Sequence, residues 1–422
     1  DACEDLFYQM VKRLEKAGEL SKETVFIDGT KLEACANKYT FVWKKAVTKN
    51  QAKLFDKILV FVEECENLYG FRIAYNGKVS LRTLKRLRKR LCRIRQEEGI
   101  VFVHGTGRRK TRLQKSLETL KTYIAKLKEY NKKLYVCGDR NSYSKTDPDA
   151  TFMRMKEDAM HNGQLKPAYN LQHGVDSEYI TWLDISSRPT DTRTLIPFLK
   201  DMELYLPFKY QEIVADAGYE SEENYLFLEE NGQLAYIKPQ NYEISKTRKY
   251  RQDIGRMENM NYDEKADCYY CKNGQVLTVQ YEKREKTASG YRRTVTVYRS
   301  SGCSGCPFKT DCIRGNNCKT PMEDRQKVLY VSKKMKEKRQ ETIKRITSDY
   351  GTQLRMNRSI QVEGSFANLK EDMEFRRYLY RGKANVTAQS ILLAIGYNIN
   401  KLHHKIQAER TGRHLFPLKQ TA

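Results

Sequence analysis

The chain has 422 residues, 78 of them Lys or Arg against 53 Asp or Glu, a formal charge of +25. Such an excess points to a polyanionic partner, because Lys and Arg contacts to phosphate dominate nucleic-acid affinity. It carries no apolar run of about 18 residues, which excludes a membrane-spanning helix of the usual kind.

The 11 cysteines are odd in number. With no signal peptide in view, they are expected to be reduced thiols in a cytoplasmic setting rather than a disulfide framework. A 39% hydrophobic content with 28 Tyr and 15 Phe supports a packed core.

Residues 1–23 read as the end of a helix ("DLFYQMVKRLEKAGEL") and are expected to be the remnant of a truncated N-terminal helical DNA-binding region. The apolar run Val25-Phe26-Ile27 predicts a strand that stops at Asp28-Gly29, good turn chemistry. Lys31, Lys38, Trp43 and Lys44 follow, a basic and aromatic stretch within 24–45.

Helical spacing then runs through 50–136. Leu81, Leu84, Leu87, Leu91 and Ile94 form one stripe; Leu113, Leu117, Leu120, Ile124 and Leu127 form another. The break at 104–109 predicts an antiparallel helical hairpin, and Lys78–Lys133 holds 19 Lys and Arg against 4 acids.

Beyond it, 168–176 and 179–187 read as adjacent strands, 191–205 as a helix capped by Thr190 or Asp191, and 212–219 as a buried strand ending at Asp216. A helix from Ser221 to Gly232 and a strand at 233–239 complete a mixed α/β pattern. Residues 240–325 are polar and rich in Tyr and Cys. Helical patterning returns at about 325, includes 354–373, and ends with an apolar helix at about 386–403.

Asp28 and Asp216 share a setting: each follows a short β-branched apolar run and precedes a glycine. Strand ends are where α/β sheets hold functional carboxylates rigidly. Glu363 lies on the 354–373 helix, with Lys370 seven residues on and so on the same face of a regular helix. Three such acids suit two Mg²⁺ ions and phosphodiester chemistry.

A second cluster, Cys268, Cys271, Cys303 and Cys306 with Cys312 and Cys318 behind, has spacing compatible with a zinc site formed by four of the six. Asp147 and Asp149 around a Pro read as an Asx turn in preference to a metal site. His161 and His173 bracket the predicted hairpin strands, and none of the histidines pairs with a Cys or Ser as in a nucleophilic triad.

The blocks "FIDGTKLEACANKYTFVWKK", "KTDPDATFMRMKED", "AYNLQHGVD", "VADAGYES" and "VEGSFANLK" together resemble bacterial DDE-type insertion-sequence transposases, in order and spacing, from about residue 24 to 405. The resemblance implies a ribonuclease-H-like mixed sheet flanked by helices. It also implies a plan of catalytic-core strand 24–39, basic helical hairpin 40–140, core 141–239, Cys-rich β insertion 240–325, core helices 326–410 and tail 411–422.

It further implies Asp28, Asp216 and Glu363 as catalytic ligands of Mg²⁺ or Mn²⁺, and metal-dependent cleavage and strand transfer of double-stranded DNA at transposon ends. The protein would then work as a homodimer when synapsing ends, in a bacterial cytoplasm at the nucleoid. Lys31, Lys38, Trp43, Lys44, Arg86, Arg90, Arg93 and Lys370 would contact DNA.

Relatives of this type place a Tyr seven and an Arg four residues before the Glu. Here Met356 and Ser359 hold those positions, so Arg358 is taken as the phosphate-gripping arginine. The competing expectation is a non-catalytic nucleic-acid-binding protein derived from a transposase.

Overall fold

A computed structural model describes residues 2–74, 79–155, 163–315 and 318–415; His161 and the end of the tail lie outside them. The chain divides into two compact units. One comprises Asp1–Thr30, Asn170–Arg376 and Thr387–Ala422; the other comprises Lys31–Tyr169 and Arg377–Val386.

The first unit is built on a mixed sheet. Strands β1 (Thr24–Glu33), β7 (Glu212–Ala215) and β8 (Leu234–Ile237) pair in parallel, with Ile27 opposite Ala215 and Ala215 opposite Ile237. Their centres, Val25-Phe26-Ile27 and Ile213-Val214-Ala215, are buried, as expected of strands covered on both faces. On the other side of β1 lies β5 (Leu165–Asp176), and β6 (Tyr179–Ser186) pairs with it antiparallel.

The helices α5 (Leu195–Tyr205) and α6 (Glu222–Glu230) follow β6 and precede β8. Ser221 caps α6 by accepting from Asn224 N. This mixed α/β architecture agrees with the sequence reading. One difference concerns β1: it does not stop in a turn at Asp28-Gly29 but continues to Glu33.

The Cys-rich segment forms a separate antiparallel sheet, in the order β13 (Val328–Val331), β12 (Arg292–Ser300), β11 (Val276–Lys286), β10 (Cys268–Tyr270) and β9 (Asn261–Asp263). Its small core contains Met260, Tyr269, Leu277, Tyr298, Leu329 and Val331.

The second unit is mainly helical: α2 (Lys44–Tyr69), α3 (Leu81–Glu97) and α4 (Arg112–Cys137). The region read as continuous helix from 50 is therefore broken once more, where Gly70 ends α2 in the left-handed conformation that glycine adopts cheaply. Leu84, Leu87 and Leu91 of α3 pack with Leu113, Leu117, Leu120, Ile124 and Leu127 of α4 in one core, and α2 adds Leu54, Ile58 and Phe61.

Candidate active site

The parallel register decides the site. With Ile27 paired to Ala215, the next residues, Asp28 and Asp216, fall side by side at about the 4.8 Å strand spacing. Asp28 is buried. Its Oδ1 accepts from Gly29 N at 2.8 Å and its Oδ2 from Arg358 Nη1 at 2.9 Å. Asp216 caps the turn Ala217–Tyr219, with Oδ1 accepting from Gly218 N at 2.8 Å.

Glu363 arrives on a helical run whose local geometry is unusual. The helix Asp349–Arg358 leads into a π segment, Ser359–Glu363, then a short α turn, Gly364–Ala367, and a second π segment, Asn368–Asp372. Each π turn takes about one extra residue per revolution. Arg358, five residues before Glu363, thereby faces the same way as a residue four before it in a plain α-helix. The guanidinium bridges the two acids: Nη1 to Asp28, and Nη2 to Glu363 Oε1 at 3.0 Å. The same widening rotates Lys370 off the face it would share with Glu363 in a regular helix.

Two glycines and one further acid complete the arrangement. A Cβ on Gly29 would lie 2.2 Å from Gln172 Nε2 and 2.8 Å from Asp191 Oδ1, so only glycine lets β5 and Asp191 approach so closely. A Cβ on Gly218 would lie 3.0 Å from Asp216 Oδ1 and 3.2 Å from Asp191 Oδ2. Asp191 is thus a third carboxylate beside Asp28 and Asp216, held by Asn170 Nδ2 at 2.6 Å and Gln172 Nε2 at 2.9 Å.

Beneath them Tyr219 is buried and donates to Gln172 Oε1. Its phenol is held far above the usual range by burial, then by the negative charges of Asp191, Asp28 and Asp216. The sequence reading missed Asp191, Gln172 and Tyr219; it took Asp191 only as a helix cap.

The π-containing helix is seated on β5 by His173, whose ring stacks on Phe366 at 4.5 Å and whose Nδ1 lies 3.2 Å from Ser365 Oγ. Burial lowers the His173 pKa to about 3. The unfolded chain takes up this proton near pH 6.5 and the folded chain does not. Stability should therefore be complete above that pH and fall as pH drops from 6.5 towards 3, by about 1.4 kcal/mol per unit. Urea unfolding of His173→Gln at pH 7.5 and 5 checks this: the variant should be less stable at pH 7.5 but lose less on acidification. An equal loss in both proteins would refute it.

The residues expected to meet DNA lie in the second unit, apart from Arg358 and Lys370. Lys31 Nζ donates to Arg154 O, Lys38 lies over the Tyr39 ring, and Lys44 Nζ donates to Gly138 O just past the end of α4. Trp43 packs in an aromatic group with Phe41 and Phe152, centroids 6.0 and 5.8 Å away. Arg86, Arg90 and Arg93 are exposed on α3, away from its buried leucines. Asp147 accepts from Tyr169 Oη, and Asp149 Oδ2 accepts from Lys383 N, which fits the turn reading of that segment.

Among the thiols, Cys268 is buried in β10 and Cys318 is exposed. Cys303 Sγ accepts from Lys327 N at 3.3 Å, and Lys327 Nζ donates to Cys312 O. Burial pushes the Cys312 thiol up, and Cys271, Cys303 and Cys306 are near enough to raise it further. Among the described residues, no group of three or more His, Cys, Asp or Glu side chains converges as a ready metal site. The Arg358 guanidinium occupies the space between Asp28 and Glu363.

Residues 270–403 match the protein family described as a transposase DDE domain. This match supports a DDE-type transposase. Neither the curated proteins nor the solved structures returned a match. The DDE-domain match covers Arg358, Glu363, Lys370 and all of the candidate cysteines except Cys268; Asp28 and Asp216 precede it. Among the described residues, no helix is long and apolar enough to cross a membrane.

Proposed function

We propose that the protein cleaves DNA phosphodiesters at the ends of a bacterial insertion sequence and joins the freed ends to target DNA, on a ribonuclease-H-like core interrupted at 40–140 and 240–325. The observation that carries this reading is the Asp28–Arg358–Glu363 bridge beside Asp216. Hard oxygen donors from within β1 and from a helix flank a position filled by a cationic guanidinium, with Asp216 at the end of β7 alongside, the donor chemistry that divalent Mg²⁺ or Mn²⁺ prefers.

Asp28, Asp216 and Glu363 would hold two ions, which when bound activate the attacking oxygen and neutralise the leaving one. Arg358, released from the carboxylates, is placed to grip a DNA phosphate through its fork of N–H donors. Gln172 and Asn170 keep Asp191 oriented, and the neutral Tyr219 keeps Gln172 in place. Synapsis of two ends would use a homodimer. An assay on linear DNA carrying the flanking inverted repeats, with Mg²⁺ or Mn²⁺, should show nicks at the repeat ends. Absence of nicks with either metal would overturn the proposal.

DNA would be held in part by α3. Neutralising Arg86, Arg90 and Arg93 together should weaken binding to every sequence and flatten the plot of log affinity against log salt by about 0.9 per lost phosphate contact. An unchanged slope would mean that these charges form a solvated face.

The spacing of the thiols suits a structural Zn²⁺ held by four of the six candidates, with Cys312 and the three thiols that act on it, Cys271, Cys303 and Cys306, favoured. Elemental analysis of chelator-washed protein should find about one zinc per chain, lost in Cys271→Ser or Cys303→Ser. Zinc-free folded protein would defeat the assignment.

A further inference from the structure

An open cavity of about 640 Å³ lies between the helical run Gln361–Asp372 and the C-terminal helix Lys383–Gln407 with the turns that follow it. Its walls carry Lys401, His404, Lys405, Arg410, Arg413 and His414. Three acids also line it, and each has a partner of its own. Glu178 takes Lys401 Nζ at 2.8 Å, Glu371 takes Arg376 Nη2, and Asp372 takes Asn368 Nδ2 at 2.6 Å. Lys405 is buried and bound to Glu19 Oε2.

The charge that remains is cationic. The Arg410 and Arg413 side chains are exposed at the cavity and make no hydrogen bond or ion pair among the described residues. His404 lies beside them, one turn before the helix ends. In the opposite wall, Asn368 Oδ1 is shielded from solvent and accepts nothing among the described residues. Two forked cations with an imidazole suit phosphate oxygens, and an unfilled amide carbonyl suits a sugar hydroxyl or base amino group.

We propose that this cavity binds the sugar-phosphate backbone of DNA, as a second contact on the helical run that carries Glu363. The proposal rests on the DNA-processing reading above and adds a site to it. Neither Arg358 nor Glu363 lines the cavity, so it would hold a stretch of strand other than the one being cut. Its contacts are to backbone, so they would add affinity without sequence preference.

The test is fluorescence anisotropy of the full chain with a labelled duplex, across salt from about 50 to 200 mM. The double variant Arg410→Gln/Arg413→Gln should bind roughly tenfold or more weakly at the lower salt. Its log–log salt slope should fall by about 1.8, two phosphate contacts at about 0.9 each. Arg410→Lys/Arg413→Lys should recover most of the slope. Neither side chain makes a hydrogen bond or ion pair among the described residues, so thermal unfolding should be unchanged in both variants.

A slope unchanged in the Gln variant overturns the proposal. So does a site that takes only free anion, seen if inorganic phosphate protects the wild type from unfolding while DNA binding is unaffected by the substitutions. End cleavage measured in parallel separates the two readings. Wild-type cleavage with an unchanged slope sinks the cavity alone; a reduced slope without wild-type cleavage sinks the catalytic reading and leaves the cavity standing.

Discussion

Replacing Asp28 or Asp216 with Asn, or Glu363 with Gln, is expected to abolish DNA nicking and joining, by roughly 10³-fold or more. Each change keeps size and shape and removes a negative charge that would hold a metal ion, a loss of several kcal/mol in the transition state. DNA affinity and fold should change little. Asp28→Asn removes one of the two carboxylates that Arg358 bridges, but the guanidinium keeps Glu363.

Combined replacements should be no worse than single ones, because residues that act as a unit are not additive. Glu371 is the control: it is exposed and paired with Arg376. If Glu363→Gln kept near-normal cleavage while Glu371→Gln lost it, the register through the two π segments would be misassigned. Asp191→Asn belongs in the same series. A loss of comparable size there would make it a metal-site residue, and a small loss a positioning one.

The largest effect on stability is expected from Gly351→Ala. Gly351 is buried where the helix Lys333–Thr347 meets the helix Asp349–Arg358. A Cβ there would lie 1.9 Å from Arg345 O, 2.8 Å from Arg345 C and 2.8 Å from Ile346 Cα. All three are backbone atoms, so no side-chain rotation relieves the clash and the two helices must separate. Overpacking of this kind costs about 3 kcal/mol or more.

The helix that moves ends in Arg358, so the bridge to Asp28 should loosen and cleavage should fall beyond what unfolding explains. Gly364→Ala gives the contrast. It is helical, with nothing within 4 Å of the added Cβ, and should stabilise by roughly 0.5–1 kcal/mol. Urea unfolding of both variants checks the pair. A Gly351→Ala protein within about 0.5 kcal/mol of wild type would show that the helix crossing can yield.

The local signals in the sequence were of two kinds, and both lead to real elements. Period-3.6 leucines in 81–94 and 113–127 mark helices because a helix between neighbours must bury one stripe, and those leucines do form the core of the second unit. Short β-branched runs before Asp28 and Asp216 mark core strands because both faces are covered. The Asp-Gly pair misled at one point. Asp28-Gly29 has turn chemistry, yet β1 runs through it, because the glycine serves the close approach of Gln172 and Asp191 rather than a change of direction.

By itself, then, the sequence determined the mixed α/β class and the cationic character, and pointed to three acids for metal chemistry, since composition and periodicity are properties of short segments. What brings those acids together was decided only in three dimensions. Asp28 and Asp216 are neighbours through a parallel register between strands nearly 190 residues apart. Arg358 reaches Asp28 across 330 positions of sequence, and it faces Glu363 because a π turn shifts the helix by one residue. Asp191 enters through gaps left by two glycines. Register, helix underwinding and close approach are set by the packing of whole elements against each other, and no window of sequence short enough to read carries that information.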